Sequence, residues 1–343
     1  MCHLAEESVL LGVHSGYRGP VLDIDATFTD DDPGPRVEWL RTHVDALADV
    51  PLPGSGRTTE RLRALAAIAA TDGSLGRLAE GHLDALAILT ELSAPADDLA
   101  LRGVWAARPD LLRARSTTHG WHLVGTKPWS SGAAALDRAL LTATDPDGAV
   151  RLFDVDVSAI GFADDWHPLG MRGSDSRTGC VDIEVATSDQ VGAPGSYVGR
   201  PGFWHGGVGV AACWHGLATR LGRDLAAHAA GRDDSFARAA AGRVTASLAG
   251  ARALLAAAGR QIDRQPHDEA SARRRAPLVR VGVADAARTV LDTSVVAQGA
   301  SALCFDADHG RAVTDLTVYL GQLHHGTDAA TIDADADDDW WSV

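Results

Sequence analysis

The sequence predicts an α+β chain: a helical segment, then an all-β segment, then a bundle of long helices. Three observations predict this order. Val37, Leu40, Val44 and Leu47 recur at helical spacing early in the chain. Short apolar runs between Arg102 and Val185 are separated by turn signals. Beyond residue 199, Ala-rich stretches run far longer than any strand. The predicted segments are residues 1–95 (helical), 96–198 (a β-barrel-like domain of roughly 100 residues), 199–332 (a four-helix bundle) and an acidic tail, 333–343.

Within the first segment, Asp30-Asp31-Asp32-Pro33-Gly34-Pro35 is a helix-start signal, and one helix is expected over Arg36–Ala48. Pro51-Leu52-Pro53-Gly54-Ser55-Gly56 breaks it. Thr58 or Thr59 is expected to cap a helix through Ala70. No full capping box is present, since Arg61 and Leu62 stand where Glu or Gln is needed, although Glu60 suits the first-turn dipole. Leu75–Leu92 is apolar over much of its circumference and reads as a helix buried in a bundle.

In the middle segment the expected strands are Arg102–Ala106, His122–Val124, Arg138–Thr144, Val150–Val155 and Gly179–Val185. Asp145-Pro146-Asp147-Gly148 is a hairpin signal. Val181, Ile183 and Val185 alternate with Asp182 and Glu184, a strand with one wet face. In the last segment the expected helices are Gly206–Ala230, Ser235–Arg264, Pro277–Gln298 and Ala312–Ala330. Pro277 is placed at a helix start because proline is tolerated there, and a break is expected around Gly299. Alanines at 239–241, 246, 249 and 251 permit close helix approach. The tail, with Trp340-Trp341 among aspartates, reads as mobile.

Thirty-one basic against 46 acidic residues give the 343-residue chain a net charge of −15, which repels phosphate backbones and argues against a nucleic-acid partner. Cys2, Cys180, Cys213 and Cys304 form no CxxC pair and read as free buried thiols of a reducing compartment. Neither a signal peptide nor a run of about 18 apolar residues is visible, so a cytoplasmic protein away from membranes is expected. No HExxH or i, i+4 histidine pair is present, and no metal is assigned.

Five motifs then occur in order. Gly125-Thr126-Lys127-Pro128-Trp129-Ser130-Ser131-Gly132-Ala133 resembles the G-x-K-x-W-I-[TS]-x-[GA] segment of the acyl-CoA dehydrogenase family. Leu169-Gly170-Met171-Arg172-Gly173-Ser174-Asp175-Ser176 is similar to that family's G-M-R-x-[ST]-x-[ST] stretch. Gly76–Thr90 resembles the helix before the β domain, and Arg232-Asp233-Asp234-Ser235-Phe236 the R-x-x-F-G turn. Gln298-Gly299 followed by Thr314-Asp315 resembles the Q-x-x-G-G … R-D region. The resemblance spans roughly residues 55–332. It implies FAD between the β domain and the bundle. Trp129 would form an apolar wall for the ring, Ser130 and Ser131 would donate to it, and the strand bearing Trp105 would offer backbone groups. With no GxGxxG cradle, the resemblance gives the pyrophosphate to Arg232, Gln298 and Gly299 across a subunit interface. A homodimer or homotetramer follows, with a heteromer as the alternative.

The chain also departs from the family. His325-Gly326-Thr327 stands where the base-bearing E-G-T is expected, Thr314 replaces the R of R-D, and Glu269 is the only glutamate from Gly206 onward. Histidine titrates near about 6.5, so His325 or His324 is the candidate base, only one of them able to face a flavin. Trp204-His205 and Trp214-His215 read as packing pairs. Arg273-Arg274-Arg275 with Arg280 is the densest basic patch and reads as a solvated face. The first helical segment is shorter than the resemblance implies, which points to a wider pocket or a different substrate. The expected function is FAD-dependent oxidation of an acyl thioester or related small organic molecule. A non-catalytic partner subunit and a flavin-dependent monooxygenase are the alternatives.

Overall fold

The computed structural model describes residues 24, 26–96, 99–231, 233–323 and 325–332, the side chains of His325 and Thr327 excepted. The expectations for Arg232, His324, the His325 side chain and the tail lie outside the described residues.

Four helices open the fold: α1 (Pro33–Thr42), α2 (Val44–Ala48), α3 (Thr58–Thr71) and α4 (Gly73–Glu91). Asp32 starts α1 by accepting from the Gly34 N–H at 2.9 Å, with Pro33 in the first turn where its missing N–H costs nothing. The single helix expected over 36–48 is two. His43 leaves helical geometry at φ −110°, its Nδ1 2.7 Å from the Trp39 carbonyl and its ring stacked on the Trp39 indole. A side chain competing for a backbone carbonyl ends the helix there.

Eight strands follow: β1 (Arg102–Trp105), β2 (Leu112–Ser116), β3 (Gly120–Ser130), β4 (Arg138–Thr144), β5 (Val150–Asp156), β6 (Gly161–Phe162), β7 (Arg177–Ala186) and β8 (Gln190–Val191). They form one sheet in the order β6-β7-β3-β2-β4-β5-β8, with β1 parallel to β4. The β4–β5 hairpin turns at Asp145, whose carboxylate accepts from the N–H groups of Asp147 and Ala149, while Gly148 takes φ 84°. Strand β3 runs well beyond the expected His122–Val124. Pro128 cannot donate to a ladder, so the pairing with β7 shifts register between Lys127 and Ser130 instead of ending.

The bundle comprises α5 (Pro201–Ala230), α6 (Ser235–Arg264), α7 (Glu269–Phe305) and α8 (Ala307–Tyr319), with the short α9 (His325–Ala330) after them. Pro277 does not begin a helix. It lies inside α7, which starts two turns earlier where Asp268 caps the Ser271 N–H. Gly299, at φ 69° and ψ −174°, leaves helical geometry and divides α7 into two helical stretches across a kink, at the break expected there. Gly216 lets α5 and α3 cross in backbone contact: a Cβ there would sit 2.1 Å from the Ala66 carbonyl oxygen.

The main apolar cluster runs from Val37 through the inner sheet face to Leu323, joining the first helices, the sheet and the bundle, and a smaller one packs Ile88 and Leu89 of α4 on Leu140, Leu152 and Val191 of the sheet. No helix among the described residues is long and apolar enough to cross a membrane. Cys213 is buried as expected, but Cys180 and Cys304 are exposed, Cys180 because it falls on the wet face of β7. The basic patch also divides. Arg275 is buried and Arg280 turns inward, so it is not one solvated face.

Candidate active site

A cleft of about 610 Å³ opens between the sheet and the bundle. Its sheet side is the end of β3 and the turn before β7. The register shift at Pro128 throws Trp129 outward. Ser130 closes the bulge, its buried hydroxyl donating to the Lys127 carbonyl at 2.9 Å. Trp129 adopts φ 63°, a left-handed conformation that costs a non-glycine residue about 1–2 kcal/mol, yet its indole is 59% exposed. It meets Trp166 edge-on, with centroids 6.0 Å apart.

Next to it, Ser131 Oγ lies 2.8 Å from Ser176 Oγ, Ser176 Oγ 2.9 Å from Ser174 Oγ, and Ser174 donates to the Met171 carbonyl at 2.8 Å. Ser131, Ser174 and Ser176 all line the cleft. The Met171 turn is held from behind by Asp315 of α8, which accepts from the Met171 N–H. Burial pushes the Asp315 carboxyl up to about 6, against that hydrogen bond.

Trp105 is 1% exposed and belongs to the core beneath this lip. Its Nε1–H donates to the Ser131 carbonyl at 2.9 Å, and its neighbours Val104 and Ala106 line the cleft in its place. The structure thus brings Trp129 and Ser131 to one wall and the β1 backbone beside them. Ser130 is spent on the bulge. Gln298 and Gly299 lie at the α7 kink, away from the cleft.

The bundle side is built from Phe203, Trp204 and Gly207 of α5, Pro277 and Arg280 of α7, Tyr319 of α8, and Asp328. Arg280 donates to the Gly207 carbonyl at 3.2 Å, pairs with Asp328 at 3.6 Å and lies over the Trp214 ring. His205 is buried with Nε2 3.1 Å from the Pro266 carbonyl, and burial holds the His215 imidazole down to about 4; both are packed inside the bundle.

Sequence reasoning missed the third wall. Arg77, Glu80 and Asp84 of α4 line the cleft together. Spacings of three and four residues put them on one helix face. Arg77 Nη1 donates to Glu80 Oε2, and Arg61 of α3 faces Asp84 at 3.7 Å. Burial pushes Glu80 up to about 7 despite the Arg77 guanidinium, and Asp84 adds to the rise. Burial likewise raises Asp84. The signal was present: three charges on one stripe of a helix otherwise apolar enough to be buried. Helix α5 approaches this stripe so closely that a Cβ on Gly206 would meet Asp84 Oδ2 at 2.6 Å.

No family model matches the chain, and no curated protein sequence matches it. Solved structures do. XiaF from Streptomyces sp., in complex with FADH2 and glycerol, superposes with a TM-score of 0.75 at 17% identity, covering 88% of each chain. Butyryl-CoA dehydrogenase from Megasphaera elsdenii gives 0.74 at 12% identity, over 86% of this chain and 88% of that one. The 3-HSA hydroxylase from Rhodococcus sp. RHA1 gives 0.73 at 18% identity, over 87% and 91%. At such identities the likeness is one of architecture: the chain has the acyl-CoA dehydrogenase-like fold that these proteins share.

Proposed function

We propose that the chain is a flavin-dependent oxidoreductase. It binds FAD against the Trp129–Ser131 lip and acts on a small organic substrate, an acyl thioester or a related molecule, in the adjoining cleft. The observation that carries this reading is the strained, exposed Trp129 indole at a cleft walled by sheet and bundle together. The residues present fit the group. A flat ring needs an apolar face, which Trp129 supplies, and polar atoms at its rim, which the three serine hydroxyls and the backbone of Val104 and Ala106 supply. When bound, the flavin supplies a two-electron acceptor.

The chain's own residues do the rest. The aromatic walls of Phe203, Trp204 and Tyr319 exclude water, and His325 or His324 takes the proton that the family assigns to glutamate. Arg232, Gln298 and Gly299 hold the pyrophosphate for a second copy. In support, Gln298 Nε2 is buried with no partner among the described residues. Phe236, Val296 and Phe305 are exposed apolar side chains on α6 and α7, Phe305 by 89%, which a neighbouring copy in a homodimer or homotetramer would cover. We place the protein in the cytoplasm.

A visible absorbance spectrum of the purified protein, before and after a panel of acyl thioesters, tests the reading. A flavin band that bleaches anaerobically supports it. A colourless protein that takes up no added FAD overturns it. His325→Ala is expected to abolish bleaching while leaving FAD bound.

One observation favours monooxygenase chemistry on the same site. Glu269, the bundle segment's single glutamate, begins α7 and does not line the cleft, and the carboxylates that do, Glu80, Asp84 and Asp328, are each paired with an arginine, so none is a free α-proton base. Dioxygen consumption coupled to substrate by protein supplied with reduced FAD distinguishes this reading from the first.

A further inference from the structure

A second cavity, of about 350 Å³, shares the Met171 turn with the cleft. Leu169, Gly170 and Arg172 line the cavity, while Met171, Ser174 and Ser176 line the cleft. Further walls come from Thr29, Asp30 and Asp31, ahead of α1, and from Arg311, Thr314 and Asp315 of α8. Carboxylates and guanidinium groups therefore meet there, but the cations are engaged. Arg311 donates to the Phe28 and Thr29 carbonyls and to Asp308 at 3.3 Å. Arg172 donates from Nε to the Pro168 carbonyl at 3.1 Å and faces Asp31 at 3.7 Å. Asp30 accepts the Asp32 N–H and Asp315 the Met171 N–H, and neither has an ion pair among the described residues.

Asp315 points most directly to a ligand. It is 4% exposed, its Oδ1 accepts from the Met171 N–H, and its Oδ2 accepts from no group among the described residues. Burial, with Asp72 adding to it, outweighs the Met171 hydrogen bond and the Arg36 and Arg311 guanidinium groups and holds the carboxyl up at about 6. An interior carboxylate with an unbonded oxygen thus borders a cavity short of positive charge. An anion would add to the repulsion, and a neutral ligand would leave both carboxylates unmatched. The acceptors stand on two walls, Asp30 ahead of α1 and Asp315 on α8. A planar guanidinium, with N–H donors directed several ways and a weak hydration shell, bridges such walls better than a compact ammonium.

We propose that this cavity binds the guanidinium group of a small molecule between Asp315 and Asp30. The proposal stands apart from the flavin reading, since none of the described residues assigned to flavin lines the cavity. It bears on the cleft all the same. The carboxylate that would hold the ligand also holds the Met171 N–H, and Trp166 of the cleft donates from Nε1 to the Arg172 carbonyl at 3.1 Å. An occupant of the cavity is therefore felt at the lip.

Isothermal titration of the full chain tests the site at pH 8, where a carboxyl at about 6 is ionised. The probes are propylguanidinium, propylammonium, tetramethylammonium and inorganic phosphate, all at one ionic strength. Propylguanidinium is expected to bind at a single site, at least about tenfold tighter than propylammonium, the value of one charge-assisted hydrogen bond. Tetramethylammonium, which has no N–H to give, is expected not to bind. Asp315→Asn is expected to weaken propylguanidinium at least about tenfold. Asp30→Asn, at an exposed position, is expected to weaken it as well and serves if the Asp315 variant does not fold. Thr314→Arg, which tethers a guanidinium to the cavity wall, is expected to abolish binding of the free probe and to raise the unfolding midpoint. No binding of propylguanidinium, tightest binding of phosphate, or equal binding of tetramethylammonium overturns the proposal. So does undiminished binding to folded Thr314→Arg protein, which would put the probe elsewhere. A protein that binds no FAD yet passes these tests refutes the flavin reading alone.

Discussion

Arg36 and Asp72 form a bidentate pair, Nε to Oδ1 at 2.8 Å and Nη2 to Oδ2 at 2.7 Å, with side chains 1% and 3% exposed. The pair fastens α1 to the head of α4, where Asp72 also caps the Leu75 N–H at 2.8 Å. It stands directly behind the Met171 turn, since a Cβ on Gly173 would lie 2.6 Å from Arg36 Cζ. Breaking a buried pair strands a charge. Arg36→Met is expected to cost about 3–5 kcal/mol in urea unfolding, and the double variant with Asp72→Leu less than that.

Lys127 sits buried in the sheet with its Nζ donating to the Thr142 carbonyl at 2.6 Å and hydroxyl at 2.8 Å. Burial lowers its ammonium to about 7, from 10.5 in an unfolded chain. Between those values the unfolded state holds the extra proton, so this group makes stability rise with pH, by up to roughly 1.4 kcal/mol per unit. The slope between pH 8 and 10, taken from denaturation midpoints, is expected to be shallower in Lys127→Met by about that amount. An unchanged slope removes Lys127 as its source.

His82 acts in the acid range. Its Nδ1 accepts the Arg102 backbone N–H at 3.2 Å, so a proton there would face a donor. Burial lowers the imidazole to about 4, with the Arg102 and Arg61 guanidinium groups adding to the effect. The unfolded histidine, near 6.5, gains its proton first, and stability contributed by neutral His82 is lost as pH falls from 6.5 towards 4. His82→Gln is expected to flatten this part of the pH–Tm curve.

Trp129 separates backbone strain from ligand contact. Trp129→Ala keeps the left-handed strain and removes the indole, whereas Trp129→Gly removes both. Each is expected to lower flavin occupancy strongly, and the glycine variant to be about 1 kcal/mol more stable than the alanine one. Full occupancy in either would take Trp129 out of the flavin site.

The parts of the fold legible in sequence are those where local chemistry and packing agree. Arg138–Thr144 is a short apolar run buried along nearly its whole length, and the Asp145 turn follows it, so strand and hairpin were both plain. The long α6 was plain from its alanines, and so was α5, although α5 starts at Pro201 and not at the expected Gly206. Illegible parts are those where tertiary contacts override a local rule. Pro277 is tolerated inside α7, where its ring faces the cleft. Gly299, by contrast, reads as a stop and does interrupt the helix, its φ of 69° and ψ of −174° separating two helical stretches. In the site, motif order pointed to Trp129 and Ser131, but it could not show that Ser130 faces inward or that Trp105 is core while its neighbours Val104 and Ala106 line the cleft. Arg77, Glu80 and Asp84 share one stripe of a helix that reads as core, and what the sequence could not show is that Arg61 of α3 pairs with Asp84 at the edge of a cleft.

The row of serine hydroxyls has a direction. Ser174 gives its hydrogen to the Met171 carbonyl, so Ser176 must give its own to Ser174, and Ser131 in turn to Ser176. All three hydrogens point down the row, and Ser131 is left presenting lone pairs only. A group that meets the Ser131 hydroxyl therefore has to bring its own hydrogen, a polarity set by one rotor deep in the turn.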